Sequence, residues 1–421
     1  MTNIDLDMIQ TAGIGAFSLM IGMVLTRKVA FLQKFCVPSP VSGGIIFSLI
    51  TLALYGWFHV EVSFDSTLKD VFMLAFFTSV GFQSDLKVIK QGGKALVVML
   101  ALLVVIITLQ NLMPLGITRL MHVNPLIGIA AGSVSMTGGH GTAGGFAGVL
   151  EQMGLHGAGT IGMAAATFGL IAGSMLGGPL AELIIRKKLT LEQVQQDEEI
   201  DPAMAGIESD EASPTGRAKR VSSNEQEFQQ YAKACYAVLL VMAGGTLLSW
   251  LFAKTGVTFP TYFGALILAA IVRNTIGFVR YKENGEWVKA DKLLDMDRII
   301  SVGNICLSLF LGIAMISLKL WELQSLALPL IVILASQVLM MALFVYFIAY
   351  PLLGRNYDAA VLCSGICGFG LGATPNAMAN MSAVCYKYHY TVKPFLIVPI
   401  IGAMFADIIN TGIISVFLNM L

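Results

Sequence analysis

The chain has 421 residues, with 26 basic and 26 acidic side chains; 56% of it is hydrophobic and only 12% charged, where an ordinary soluble domain is about 25% charged. That balance excludes a soluble globular protein, and a net charge of zero offers no electrostatic basis for binding nucleic acid. The six cysteines are scattered without a C-x-x-C pair, so neither a zinc site nor a redox couple is indicated.

The first ten residues, MTNIDLDMIQ, carry two acids and no base, the wrong flank for a cleaved signal peptide, so the apolar run after them is read as a retained first span. Runs long enough to cross about 30 Å of hydrocarbon lie at Ile9 to Leu25, Val41 to Trp57, Ala95 to Met113 and Thr160 to Ile185. In the second part of the chain they lie at Tyr231 to Phe252, Thr261 to Val279, Ile299 to Leu318, Leu326 to Tyr350 and Phe395 to Leu418. A shorter run, Val71 to Phe82, brings the expected crossings to ten. With both termini on the periplasmic side, the inner loops then collect Arg27, Lys28 and Lys34, Lys87 and Lys90, Arg186 to Lys188, and later Arg280, Lys292, Arg298 and Arg355. The outer loops keep only Lys69, Arg119, Lys254 and Lys319, as the positive-inside rule requires. The polar stretch 186–230 reads as a cytoplasmic linker between a first unit, 1–185, and a second, 231–421.

A shift of about 232 positions lays Asn124 on Asn356, Gly138 on Gly370, Thr142 on Thr374 and Ala147 on Ala379. Five spans per half is an odd number, so the second half must be upside down relative to the first. Inverted repeats are an architecture of secondary transporters, with the substrate near the midplane between the halves. The expected fold is therefore an all-α polytopic membrane protein of ten transmembrane helices in two inverted five-helix repeats.

Between the fourth and fifth span of each half lies a glycine-rich interruption, SVSMTGGHGTAGGFAG from Ser133 and CGFGLGATPNAMANM from Cys367. Each is expected to form a re-entrant hairpin, about 125–152 and 358–385, with its tip at GGHG or GFGLG. Irregular backbone at that depth survives only when buried in protein or lining a wet cavity. The glycines are expected to supply positive φ and close approach, and Thr374, followed by Pro375, has the character of an N-cap, with Thr142 as its counterpart. Two half-helices would then aim positive N-termini at the membrane centre, where they favour carboxylates.

An acid in a span is costly and functional by default, which singles out Asp407 in GAMFADIINTG; pairing with Asn304 or Asn410 is the structural alternative. Asp358 opens the second hairpin and is either functional or interfacial. Glu182 reads as a snorkelling acid at the cytoplasmic end of the fifth span. His140 either meets substrate or holds the loop tip. No H-E-x-x-H or G-x-S-x-G occurs, and no ring of charges for a channel, so neither an enzyme nor a pore is expected.

TGGHGTAGG and CGFGLGATPNAMANM, with SVGNICLSLFLGIAMISLKLWEL at Ser301 to Leu323 and GRNYDAAVL at Gly354 to Leu362, resemble the bacterial sodium/glutamate symporter family. The resemblance covers the chain apart from its linker. It implies a homodimer in the bacterial inner membrane that takes up L-glutamate with Na⁺ as coupling ion, by an elevator-like movement. It implies no organic cofactor, and its partners are glutamate, Na⁺ and the lipid bilayer. Two positions, Ile366 and Asn376, depart from the family's pattern, and a symporter of another di- or hydroxycarboxylate is the alternative. On this reading the substrate meets Gly138, Gly139, His140, Gly141, Thr142, Gly370, Gly372, Thr374, Asn376 and Asp407. Candidate Na⁺ ligands are Asp407, Asn410, Asn304 and Asn380, with backbone carbonyls of the tips.

Overall fold

The computed structural model describes residues 2–86, 93–189, 217–283, 286–290 and 294–421. A strand, β1 (Thr2–Leu6), precedes α1 (Met8–Lys28), whose first turn is closed reciprocally: the Asp7 carboxylate accepts from Gln10 N at 2.8 Å and Asp7 N donates to Gln10 Oε1 at 3.0 Å. The short α2 (Ala30–Lys34) leads to α3 (Ser39–Phe58) and to β2 (Val60–Phe64), which pairs in parallel with β1, Thr2 opposite Val60. The first half continues with α4 (Thr67–Gln83), α5 (Gly93–Leu120), α6 (Pro125–Ala130), α7 (Gly139–Gln152) and α8 (Ala158–Lys188). The second holds α9 (Arg217–Ala253), α10 (Phe263–Thr275), the antiparallel pair β3 (Arg280–Glu283) and β4 (Glu286–Lys289), and α11 (Met296–Ile316). After α12 (Ala327–Phe344) and a wide π turn at Val345–Ala349 come α13 (Tyr357–Leu371) and α14 (Thr374–Lys387). The chain closes with α15 (Val392–Ile400), a second π turn at Ile401–Phe405, and α16 (Ala406–Met420).

Among the described residues seven helices are long and apolar enough to cross a membrane: α1, α3, α5, α8, the apolar part of α9, α11, and α12 with its extension to Leu352. They coincide with seven of the expected spans. The other three expected spans are helical but shorter or broken: α4, α10 with a 3₁₀ turn to Phe278, and the α15–α16 rod. Two features differ from the sequence reading. The two small sheets were not anticipated: β1 and β2 are far apart in sequence and leave no local signal, whereas β3 and β4 flank Asn284-Gly285, a hairpin signal in the sequence. Arg217–Gln230, read as linker, is already the start of α9. Residues 190–216 of that linker, with Lys87, Lys90 and Lys292, lie outside the described residues.

The helices pack as two groups. α1, α3, α4, α9, α10 and α11, the first three spans of each half, contact one another; α5, α8 and α12 pack with the interrupted pairs α6–α7 and α13–α14. Small residues permit the close crossings in the first group, as in membrane helices generally. A methyl on Gly22 would overlap the Ser39 carbonyl, and one on Gly43 the Ser18 carbonyl, so α1 and α3 cross backbone to backbone. The main core runs through the second group and the faces that the first group turns toward it.

Candidate functional site

Each interrupted pair is entered through an asparagine cap. Asn124 accepts from Leu126 N at 3.0 Å ahead of α6, and Asn356 accepts from Ala359 N at 2.9 Å ahead of α13. These are the residues that the repeat alignment superposes, so the same side chain starts the same element twice. After α6 the chain passes through turns at 131–138 and α7 begins; after α13, Gly372 and the extended Ala373 lead into α14 with Pro375 in its first turn.

Neither threonine is the cap that the sequence reading assigned. Ala373 is the N-cap of α14 and Thr374 its first helical residue, while Thr142 sits in the first turn of α7, its N–H donating to Gly138 O at 3.3 Å. The glycines also act differently from expectation. Of those at the two tips only Gly139 has positive φ, +58°; the others make room. A Cβ on Gly138 would stand 2.5 Å from Thr142 Cβ and 2.7 Å from Asn410 Nδ2, and one on Gly370 would stand 2.6 Å from Met341 Cε. At Gly139 it would lie 3.1 Å from Gly372 O, so the two tips meet there.

Their meeting point borders a cavity of about 440 Å³, within the size range of small-molecule sites. One side is formed by Gly138, Gly139, His140, Gly141 and Thr142, by Gly372 and Thr374, and by Asp407 of α16. The facing wall is Phe76, Phe77 and Val80 of α4 with Asn304, Leu307 and Leu311 of α11. Two helix N-termini, those of α7 and α14, thus open on the same space. Asp407 is the one carboxylate among the lining residues, and no lysine or arginine lines it.

The Thr142 hydroxyl stands beside the Asp407 carboxylate and makes no hydrogen bond of good geometry. One turn after Asp407, Asn410 is fully buried; its Nδ2 donates to Ser133 O at 3.0 Å and its Oδ1 has no partner. An acid, a hydroxyl and an orphaned amide oxygen gathered at one tip are hard oxygen donors of the kind that Na⁺ takes, and a buried acceptor left unmatched is otherwise a destabilising feature.

The remaining expected residues fall elsewhere. Gly370 and Asn376 are not in the lining: Gly370 backs on Met341, and the Asn376 amide donates to Leu170 O at 3.0 Å and Ser174 Oγ at 2.5 Å, tying α14 to α8. Asn380 likewise donates to Gly173 O at 2.9 Å. Asn304 lines the cavity, but on the wall that faces the tips. His140 is bound through Nε2 to Thr167 Oγ1 at 3.0 Å; because that hydroxyl donates onward to Met163 O at 2.8 Å, the imidazole nitrogen is the donor. Asp358 accepts from Thr391 Oγ1 at 2.5 Å and pairs with Lys393 at 3.7 Å, and Glu182 pairs with Arg186 at 2.5 Å and Lys387 at 2.6 Å.

Several contributors were not singled out from sequence. Phe77 of the short α4 stacks on Tyr262 at 3.6 Å between centroids, and the Tyr262 hydroxyl lies 3.3 Å from Thr411 Oγ1. Asn111 donates to Ser133 Oγ at 2.7 Å and bonds the first tip to α5. The available signal was a carboxamide or hydroxyl inside an otherwise apolar span, which must find a partner.

Long apolar helices around a cavity to which two helix N-termini and one acid are turned define a polytopic membrane transporter. The family model described as Sodium/glutamate symporter matches residues 4–390. The Escherichia coli (strain K12) protein named Sodium/glutamate symporter is 36% identical over 421 residues, covering 98% of each chain. The Haemophilus influenzae protein of the same name is 35% identical over 412 residues, covering 97% of this chain and 96% of its own. The chain belongs to the sodium/glutamate symporter family, whose members are transporters rather than enzymes.

Proposed function

We propose that this protein takes up L-glutamate with Na⁺ across the bacterial inner membrane. The carrying observation is the charge of the cavity: Asp407 is its one acid and no cationic side chain lines it. Glutamate brings two carboxylates and one ammonium, hence a second net negative charge into the same space. A helix N-terminus is worth roughly 0.3 to 2 kcal/mol to an anion, too little to neutralise both. A cation must accompany the substrate, and the oxygens of Asp407, Thr142 and Asn410 are where Na⁺ is held. The name that the two relatives share, Sodium/glutamate symporter, supports both the ion and the substrate.

In this mechanism the carboxylates lie against the N-termini of α7 and α14, with the hydroxyls of Thr142 and Thr374 and the backbone of Gly138, Gly139, Gly141 and Gly372. His140 closes the tip, and Gly370, Asn376 and Asn380 shape the second tip from behind. The chain crosses the bilayer ten times in two inverted halves, 1–185 and 231–421, joined by a cytoplasmic linker, with both termini periplasmic. α6–α7 and α13–α14 are re-entrant hairpins, supported by the matched asparagine caps. The hairpin group travels past the group of α1, α3, α4, α9, α10 and α11 within a homodimer.

The test is uptake of labelled L-glutamate into proteoliposomes under an inward Na⁺ gradient, with K⁺ and proton gradients as controls and unlabelled di- and hydroxycarboxylates as competitors. Accumulation that requires Na⁺ and is blocked only by amino dicarboxylates is expected. Transport of a hydroxy acid instead, or a proton requirement, overturns the assignment. One Na⁺ per glutamate moves no net charge, whereas a second adds one, worth about 2.3 kcal/mol per 100 mV, so the voltage dependence of uptake reads the stoichiometry.

A further inference from the structure

The fourth expected span of each half carries one fully buried glutamine, Gln110 in α5 and Gln337 in α12. An unbonded carboxamide in apolar surroundings is costly, and each amide nitrogen is bonded outside its own helix, Gln110 to the second tip and Gln337 to the backbone of α5, while Gln337 Oε1 has no partner. Gln110 Nε2 donates to the carbonyl of Gly370 in the second tip at 2.5 Å, while its Oε1 accepts from the Thr137 hydroxyl of the first tip at 2.7 Å. The Thr137 hydroxyl is also 3.4 Å from Gly370 O. Gln337 Nε2 in turn donates to the backbone carbonyl of Gln110 at 2.8 Å, with Ala131 O, at the start of the first break, 3.5 Å away.

The result is a crossed pair in which one side chain holds both tips and its counterpart holds the helix that carries it. Thr137 lines the cavity immediately before Gly138, and Gly370 lies two residues before the lining Gly372. A carboxamide suits this place because it donates and accepts at once; a carboxylate lacks the donor, and a methionine has no donor and only a weak sulfur acceptor.

We infer that Gln110 is a positioning residue that fixes the spacing of the two tips, so that occupancy of one by Na⁺ is felt at the other as affinity for the amino acid. This rests on the functional reading given above. Gln110→Met, close in volume and without a hydrogen-bond donor, is expected to raise both the glutamate KM and the half-saturating Na⁺ concentration about tenfold, with the maximal rate changed less than threefold. Thr137→Val is expected to raise the same constants in the same direction, Thr137→Ser to restore them, and the double variant Gln110→Met with Thr137→Val to be no worse than Gln110→Met alone, since the two share one contact.

The constants are measured by uptake into proteoliposomes at matched amounts of folded protein, checked by gel filtration and melting in detergent. Constants within twofold of wild type in Gln110→Met and Thr137→Val overturn the inference, as do lower melting temperatures with unchanged constants. Should Gln110→Met not fold, the Thr137→Val and Thr137→Ser pair decides it: a KM raised by valine and restored by serine supports the role, and equal constants refute it. Absence of Na⁺-driven glutamate uptake in the wild type refutes the functional reading, and this inference with it; wild-type uptake with unmoved variant constants refutes the inference alone.

Discussion

Replacing Asp407 by asparagine keeps the volume of the side chain and removes the one negative charge in the cavity lining. A monovalent cation about 4 Å from a carboxylate gains roughly 4 kcal/mol at an effective dielectric constant near 20, equivalent to about a thousandfold in affinity. Part of that gain is offset, because the charged acid must itself be held away from water, and the Thr142 hydroxyl and Asn410 Oδ1 remain in place for the ion. The half-saturating Na⁺ concentration is therefore expected to rise by between about tenfold and about a thousandfold. The assay is a Na⁺ titration of labelled glutamate uptake in proteoliposomes, after gel filtration and melting have established that the variant folds. A half-saturating concentration within twofold of wild type would show that Asp407 does not hold the ion, and the charge reasoning behind the functional assignment would fall.

Thr142→Val and Thr374→Val should each raise the glutamate KM severalfold in the same uptake assay; a flat result for both would sink the idea that the two helix starts hold the carboxylates. Gly43→Ala places a methyl on the Ser18 carbonyl, where backbone rather than a flexible side chain must yield, so a loss of about 1 to 3 kcal/mol is expected, seen as a lower melting temperature in detergent with the KM unchanged. At the outer edge of the fold, Lys319 donates to Glu61 at 2.7 Å, and that hydrogen bond raises the pKa of the lysine. The pair is partly exposed and worth under about 1 kcal/mol. Its stabilisation is present at neutral pH and lost as pH rises through the raised lysine value, so wild type should melt slightly above Glu61→Gln at pH 7, and the difference should vanish in strong alkali.

Seven of the spans could be read from hydropathy, because the bilayer demands long apolar helices. Both tips were legible too, since a glycine-rich break that recurs at a fixed shift marks the same irregular element in both halves, and Asp407 stood out as an acid inside a span. What could not be read was where individual amides point. The amide nitrogens of Asn376 and Asn380, read as substrate and Na⁺ contacts, donate to carbonyls of α8 while Asn376 Oδ1 has no partner, and a sequence does not show which helix packs behind another. Gln110 and Gln337 carry no motif, each being one glutamine in an apolar helix; the contact between them is what marks them as a pair. The parallel β1–β2 contact joins segments too far apart for any local pattern to announce it, and the tip glycines are set by packing against neighbours more than by dihedral freedom.

The cavity divides its chemistry by wall. Its acid, most of its hydroxyls and both helix starts stand on the side of the tips, while the facing wall is mainly phenylalanine, valine and leucine. Apart from Gln83, Asn304 and Ser308, that wall grips through shape and dispersion, with few directional bonds that must break before anything slides across it. It is a bearing rather than a latch: under the proposed mechanism the ligand's polar contacts travel with the ligand, and the surface left behind is traversed without breaking a salt bridge or re-solvating a charge.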